Sequence, residues 1–460
     1  MNAAGLPGDA VRYVSTRGAS PALCFSEALG SGLAPDGGLY VPERLPRFDA
    51  PALAAIPDAR LADTLAALLR PLLGEDVLAP RLDGLCAQAA AFDVPMKPLA
   101  GPGDHWIELF HGPTAAFKDL AARFLAAALS ALRTARSEPG LPVAVEEVRG
   151  AAVQTVLVAT SGDTGAAVAA AFHGREGFRV LILYPDGKVS PAQAHSLGAF
   201  GGNVRALRVA GSFDDCQRLA KQALGDAALR AQVPLLTANS ISLGRLLPQM
   251  GWYAMHALRF QRERGRRLNF IVPSGNLGNA MAALIARAMG LPIGAVVLAT
   301  NANPTLSEFH DGAPYRGRDA IPTLANAMDV GAPSNVERLL WLAGGDEAAA
   351  RALIGVQRID DARIRSVIAA AEARHGVAPC PHTACGLAVL EDLRAAGDTR
   401  DWAVAATAHA AKFLDVVSPL LAASPAPPPA FAALLARPAR ADPLALDAAA
   451  LAAVLREGWG

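Results

Sequence analysis

From residue 105 onward the chain alternates between two textures. Short apolar, β-prone runs read as strands: Trp106–Phe110, Val153–Ala159, Phe178–Tyr184, Val204–Val209, Phe270–Val272, Ala295–Ala299 and Trp402–Ala406. Ala/Leu-rich stretches between them, such as Ala116–Ala131, Gly165–Phe172 and Met281–Met289, read as helices. This alternation predicts an α/β fold built on a parallel sheet, where ligands gather at the C-terminal ends of the strands. The first 95 residues differ. Asp36-Gly37-Gly38 is a turn signal before a short β-prone run, and a helical stretch follows around Ala59–Leu73. Near the other end, Ser424-Pro-Ala-Pro-Pro-Pro429 reads as a stiff linker, and the tail beyond it is expected to pack as a short helix on the body.

Composition narrows the function classes. The 460 residues suffice for two or three domains, and 52% are hydrophobic, enough for a large core. Lys plus Arg equals Asp plus Glu at 42 each, so no basic surplus points to nucleic acid and no acidic surplus to disorder. Met1 to Gly18 lacks the apolar core of a signal peptide. The long apolar stretch Met281–Thr300 is broken by Arg287, Gly290 and Pro292, and reads as a buried helix followed by a strand, with no membrane span. Five scattered cysteines suit reduced thiols in the cytoplasm.

Most of the candidate chemistry sits where a strand gives way to a helix. His111-Gly-Pro-Thr-Ala-Ala-Phe-Lys-Asp119 follows an apolar strand, and Ala115, Ala116 and Phe117 precede Lys118. An apolar setting destabilises an ammonium and leaves a more nucleophilic amine; the alternative is a solvated lysine at a helix start. In Val272-Pro-Ser-Gly-Asn-Leu-Gly-Asn279, Gly275 and Gly278 let the backbone aim several N–H groups at one anion at a helix N-terminus, and a plain structural turn is the alternative. Thr160-Ser-Gly-Asp-Thr-Gly165 can hold a carboxylate, or its Ser161, Asp163 or Thr164 can simply cap a helix. Asn239-Ser-Ile-Ser-Leu-Gly-Arg245 opens what reads as a long helix. Asn239, Ser240 and Arg245 can converge on a phosphate, or Arg245 is a surface arginine. Thr407, at the end of the last strand, offers a hydroxyl to a ring nitrogen or is an ordinary strand-end threonine. Cys380-Pro-His-Thr-Ala-Cys385 lacks the spaced ligand pairs of a zinc site, so no metal is expected. A dehydrogenase reading fails for want of a G-x-G-x-x-G turn with an acidic ribose ligand.

Taken in order, His-Gly-Pro-Thr-x-x-Phe-Lys-Asp, Ala-Thr-Ser-Gly-Asp-Thr-Gly, Pro-Ser-Gly-Asn-Leu-Gly-Asn and Ala-Thr-Ala-His-x-x-Lys-Phe resemble the threonine synthase family, from about residue 12 to about residue 415. The separate N-terminal region resembles the longer bacterial and fungal type. The resemblance implies a fold-type II pyridoxal-phosphate (PLP) enzyme, similar to the tryptophan synthase β subunit, with two parallel-sheet α/β domains and an additional N-terminal domain. It implies an N-terminal domain over 1–95, a PLP-dependent catalytic region over 96–420 with a smaller domain inserted at about 120–235, and a linker and tail over 421–460. The implied reaction converts O-phospho-L-homoserine and water to L-threonine and phosphate. Lys118 would be the Schiff-base lysine. Gly275, Asn276, Leu277, Gly278 and Asn279 would bind the PLP phosphate, Thr407 the pyridine nitrogen, and Asp163 would sit beside the ring. Ser161, Gly162 and Thr164 would hold the substrate carboxylate; Asn239, Ser240 and Arg245, with Lys188 as a weaker candidate, the substrate phosphate. Small-molecule substrate, no nucleic acid, no membrane, and a monomer or homodimer complete the expectation. Ser242, Leu243 and Gly244 depart from the usual Asn-Trp-Ala, and Ala410 replaces a proline. Rival readings are a phospholyase giving 2-oxobutyrate, another fold-type II dehydratase, or a PLP-binding protein without catalysis.

Overall fold

The computed structural model describes residues 11–135 and 153–457. Two parallel sheets carry the architecture. The larger has six strands: β3 (Met96–Pro98), β4 (Asp104–Glu108), β9 (Leu268–Pro273), β10 (Ile293–Thr300), β11 (Gly355–Arg358) and β12 (Trp402–Ala406), in the order β11-β10-β9-β12-β4-β3. Only the β3/β4 pair is antiparallel. The smaller, all-parallel sheet runs β13-β7-β6-β5-β8, from β5 (Gln154–Ala159), β6 (Phe178–Pro185), β7 (Val204–Val209), β8 (Leu235–Thr237) and β13 (Asp442–Leu444). A two-stranded antiparallel ladder, β1 (Tyr13–Ser15) with β2 (Tyr40–Pro42), lies in the N-terminal region.

The central strands β5, β9 and β12 are buried along their whole length. That is the environment of a parallel sheet covered on both faces, and it is why they are predominantly apolar. Ala-rich helices do the covering. Lys118–Ala135 buries twelve side chains, mostly Ala and Leu, and packs against Asp163–Phe172. The N-terminal region joins the same core through Leu61–Leu73, which packs on Met250–Arg264, and through the Tyr13 hydroxyl, which donates to the Leu72 carbonyl at 3.0 Å.

Two expectations are corrected. Asn239–Arg245 does not open one long helix. Leu243–Leu246 is a single turn, Leu247–Gln249 a 3-10 turn, and the long helix starts at Met250. Pro248 has no N–H to continue the ladder. Nor is the tail a lone helix: after Pro429–Leu435 it contributes β13 to the smaller sheet, then the helix Ala448–Arg456. The stretch Met281–Thr300 is a buried helix end followed by β10, and no described helix is long and apolar enough to cross a membrane.

Candidate active site

The C-terminal ends of β4, β9 and β12 in one sheet, and of β5 and β8 in the other, face a common cleft enclosing about 1190 Å³ of atom-free space, its mouth included. Lys118, the first residue of its helix, reaches into this cleft. Its position is fixed from both sides. The Phe117 N–H donates to the Thr407 carbonyl at 2.8 Å. Before it, Ala115 adopts φ +54°, a left-handed conformation rare for a residue with a side chain, which turns the chain after the strand. Lys118 Nζ lies 4.8 Å over the Phe117 ring and 3.8 Å from Asp163 Oδ2, with the side chain about 15% exposed. Burial lowers its pKa to about 8, helped by the positive charges of Arg245 and Lys412 and opposed by Asp163. The solvated-lysine alternative is therefore excluded.

Asp163 does not stand alone. Its Oδ1 is 3.0 Å from the Nζ of Lys412, a fully buried lysine that also donates to the Thr114 carbonyl at 2.6 Å. Gln193 Nε2 donates to the same Asp163 oxygen at 3.1 Å, and Gln193 Oε1 accepts from Asn326 at 3.0 Å. Burial alone would raise the Asp163 pKa, but Lys412 and Lys118 overcome it and hold the carboxylate well below its ordinary range. The chain of contacts Asn326–Gln193–Asp163–Lys412 thus links segments that follow the two sheets and meets Lys118 at Asp163. His382 also lines the cleft. Its Nε2 accepts from the Ala327 N–H at 3.0 Å, and burial lowers its pKa to about 4, so it is neutral at pH 7.

The Ser274–Asn279 loop has the features of an anion cradle. The left-handed turn falls on Leu277, φ +58°, and on neither glycine. Gly275 is needed for a different reason: a Cβ there would come within 2.6 Å of the Met328 Cα. The loop ends at the N-terminus of the helix Gly278–Ala288, whose dipole favours a negative charge. Ser274 Oγ and Asn279 Nδ2 are buried without a hydrogen-bond partner among the described residues, so the loop keeps unsatisfied polar groups where a phosphate would lie. Across the cleft, Thr160 caps its own loop: its Oγ1 accepts from the Gly162 and Gly165 N–H groups at 2.9 Å. The capping role offered to Ser161, Asp163 and Thr164 thus falls to Thr160, leaving Ser161 and Thr164 on the cleft wall. Gly162 lies behind that wall at φ +125°, where a Cβ would meet the Gln193 amide at 2.5 Å.

Asn239 donates to the Ala159 carbonyl at 3.0 Å, and Ser240 accepts from Asn276 Nδ2 at 2.7 Å, joining the two anion-suited segments. Arg245 is only 2% exposed, which overturns the surface-arginine alternative. One of its amino groups donates to the Ala238 carbonyl, while its Nε has no partner among the described residues. Burial lowers its pKa to about 10, still a cation at neutral pH. Leu243 and Gly244 turn away from the cleft: Leu243 is buried, and a Cβ on Gly244 would strike Leu29 and Leu125. Their departure from the usual pattern therefore alters packing behind the site. Lys188 is exposed and outside the cleft wall, and the structure does not bring it to the other residues. A different lysine, Lys221, lines the cleft instead, from the helix Phe213–Gly225. Sequence reading missed Lys412, Gln193, His382 and Lys221. Of these only Lys412 carried a readable signal, an apolar setting like that of Lys118.

A lysine kept from water and poised near neutrality, where two parallel sheets point their strand ends at each other, is what PLP chemistry needs, and the chain matches the family described as pyridoxal-phosphate dependent enzyme over residues 106–410. The models described as threonine synthase N terminus and threonine synthase, C-terminal match residues 12–90 and 383–455. The chain belongs to the threonine synthase family. The threonine synthase of Haemophilus influenzae is 37% identical over 400 residues, 86% of this chain and 88% of that one. The crystal structure of the Escherichia coli threonine synthase superposes with a TM-score of 0.86 at 31% identity, covering 96% of this chain and 99% of that chain. That of PLP-bound threonine synthase from Brucella melitensis gives 0.85 at 33% identity, covering 97% and 99%.

Proposed function

We propose that the chain converts O-phospho-L-homoserine and water to L-threonine and phosphate, with PLP held covalently at Lys118. The observation that carries this reading is the pairing, in one cleft around Lys118, of an anion loop at a helix N-terminus with a second cation-bearing segment that ends on Arg245. Gly275, Asn276, Leu277, Gly278 and Asn279 would take the cofactor phosphate, Thr407 would serve its ring nitrogen, and Asp163 would lie beside the ring. PLP bound there supplies an electron sink for charge developing at the substrate Cα.

The chain's own residues account for the rest. Lys118 removes the Cα proton and returns protons along the substrate; a pKa of about 8 keeps it both a base and an acid near neutral pH. Ser161 and Thr164 hold the carboxylate end, with Gly162 shaping their loop. Asn239, Ser240 and Arg245 hold the phosphate end and stabilise the charge on the departing phosphate. A substrate pinned at both ends keeps Cα and Cβ within reach of one base. The enzyme works in the cytoplasm as a monomer or homodimer, without nucleic-acid or membrane partners. All five cysteines are unpaired, as a reducing compartment would keep them.

Product analysis with phosphohomoserine tests the reading: phosphate and threonine should appear one for one, and phosphate accompanied mainly by 2-oxobutyrate would leave the phospholyase instead. Arg245→Ala should cost about 1.5–3 kcal/mol in kcat/KM, the usual worth of a hydrogen bond to a charged group, because one amino group is already committed to Ala238. The visible absorbance of the bound cofactor should persist; parallel loss of cofactor and activity would make Arg245 structural. The pH dependence of loading follows from Lys118. Its amine is protonated below about pH 8 and free above, so covalent uptake of PLP by the cofactor-free chain should speed up through about pH 8 and then level off. An inflection near the ordinary lysine value of about 10.4 would mean that burial does not act on Lys118.

A further inference from the structure

Arg338 is one of the largest fully buried side chains among the described residues, and none of its hydrogen-bond partners there is a carboxylate. All five of its N–H groups are used on neutral acceptors. Nε and Nη2 donate to the Tyr40 carbonyl at 3.3 and 3.1 Å, and Nη2 also to the Ile241 carbonyl at 2.6 Å. Nη1 donates to the Ser240 carbonyl at 3.3 Å and to Asn335 Oδ1 at 2.8 Å. The adjacent Glu337 is turned away, bound to Thr16 and Arg17. Burying an arginine without a counter-charge is costly, and burial lowers its pKa to about 9.

The contacts close a ring. Asn335 Nδ2 donates to the Asn276 carbonyl at 2.9 Å, and the Asn276 side chain donates to Ser240 Oγ at 2.7 Å. Arg338 then returns from Asn335 to the Ser240 backbone. Two members of the ring, Ser240 and Asn276, line the cleft, one on each anion-suited segment; the other two, Asn335 and Arg338, stand behind it. Through Tyr40 the ring is also anchored to β2 of the N-terminal region. No other pair of side chains outside the cleft wall holds both segments at once among the described hydrogen bonds.

We infer that Arg338 and Asn335 are positioning residues that set the spacing and orientation between the 239–245 segment and the 275–279 loop, and so the fit of a substrate phosphate opposite the cofactor phosphate. The inference rests on the proposed assignment of those segments to the two phosphates. It gives the buried cation a reason: the cleft beside it is filled by dianions in the working enzyme, and their charge offsets what the neutral carbonyls cannot. A guanidinium is required because its planar fork reaches carbonyls on three segments, which an ammonium on a flexible stem cannot do.

The test uses holoenzyme of the Arg338→Lys and Asn335→Ala variants, with Arg245→Ala as the reference for the phosphate segment. The readouts are KM for phosphohomoserine, kcat, the competitive inhibition constant of inorganic phosphate, and melting temperature. Both positioning variants should raise KM and the phosphate inhibition constant together by about ten- to a hundredfold, the range usual for residues that orient binding groups from behind, with kcat much less affected. Lower melting temperatures with both constants unchanged would overturn the inference and leave a structural brace. If Arg338→Lys yields no folded holoenzyme, Asn335→Ala decides by the same criterion. Unchanged phosphate inhibition in Arg245→Ala as well would overturn the assignment of the 239–245 segment, and this inference with it; a raised constant in Arg245→Ala alone would overturn only the positioning role.

Discussion

Lys118→Ala should give a folded protein whose turnover of phosphohomoserine falls by at least about 10³-fold, within the range lost when an acid–base group is removed. The fold should survive because the side chain projects into a cleft and Asp163 keeps Lys412 as its closer countercharge. The chemistry should not, because no other lysine among the described residues can take its place: Lys221 lines the cleft but is exposed on the far helix, and Lys412 lies outside the cleft wall, its ammonium committed to Asp163 and the Thr114 carbonyl. Borohydride treatment of the parent protein should fix the cofactor on a peptide containing Lys118, and on none in the variant. A reduced cofactor mapped to Lys412 or Lys221, or a variant that keeps its turnover, would sink the central assignment.

Lys412→Met should be the most damaging substitution for stability. Removing one member of a buried ion pair strands the other, at a typical cost of about 3–5 kcal/mol. Asp163 would keep only Lys118, at 3.8 Å, as a countercharge, together with the Gln193 amide. The Lys118 pKa would then rise, since Lys412 now pushes it down and Asp163 would be left with no other ammonium to satisfy. Urea unfolding should report the stability loss, and the pH midpoint of covalent cofactor uptake should move upward. Adding Asp163→Asn to Lys412→Met should recover much of the stability, because the pair and not the lysine is what burial demands. A loss below about 1 kcal/mol would mean that the pair behaves as a surface contact does.

How much of this was readable in the chain can be seen strand by strand. β7 and β12 fall where their apolar runs placed them, and β5, β6, β9 and β10 differ only at their ends. The strands that were not read, β1, β3, β8, β11 and β13, have three or four residues each, and β13 is Asp-Pro-Leu, with no intrinsic strand preference. They exist because a neighbouring edge offers them partners, which is tertiary information. In the site, the motif residues on strand-end loops were legible because turn chemistry is local. Lys412, Gln193 and Asn326 were not, since each matters through a partner distant in sequence. The left-handed turn of the anion loop lies on Leu277, which no sequence signal marks, because side-chain size predicts where strain is cheap and not where a site accepts it.

The short strand β13 has a bearing on how the protein is made. It closes the β7 edge of the smaller sheet with a segment translated long after β5, β6 and β7. Until residues 442–444 leave the ribosome, β7 presents an open row of N–H and C=O groups, the template for mispairing with another chain. Arg205 and Arg208 on β7, which in the finished fold reach Asp442 and the Ala441 carbonyl, put positive charge on that edge meanwhile. Charge on an open edge disfavours such mispairing, and a message truncated before the last segment should yield protein that keeps the cleft residues yet aggregates more readily than the full chain.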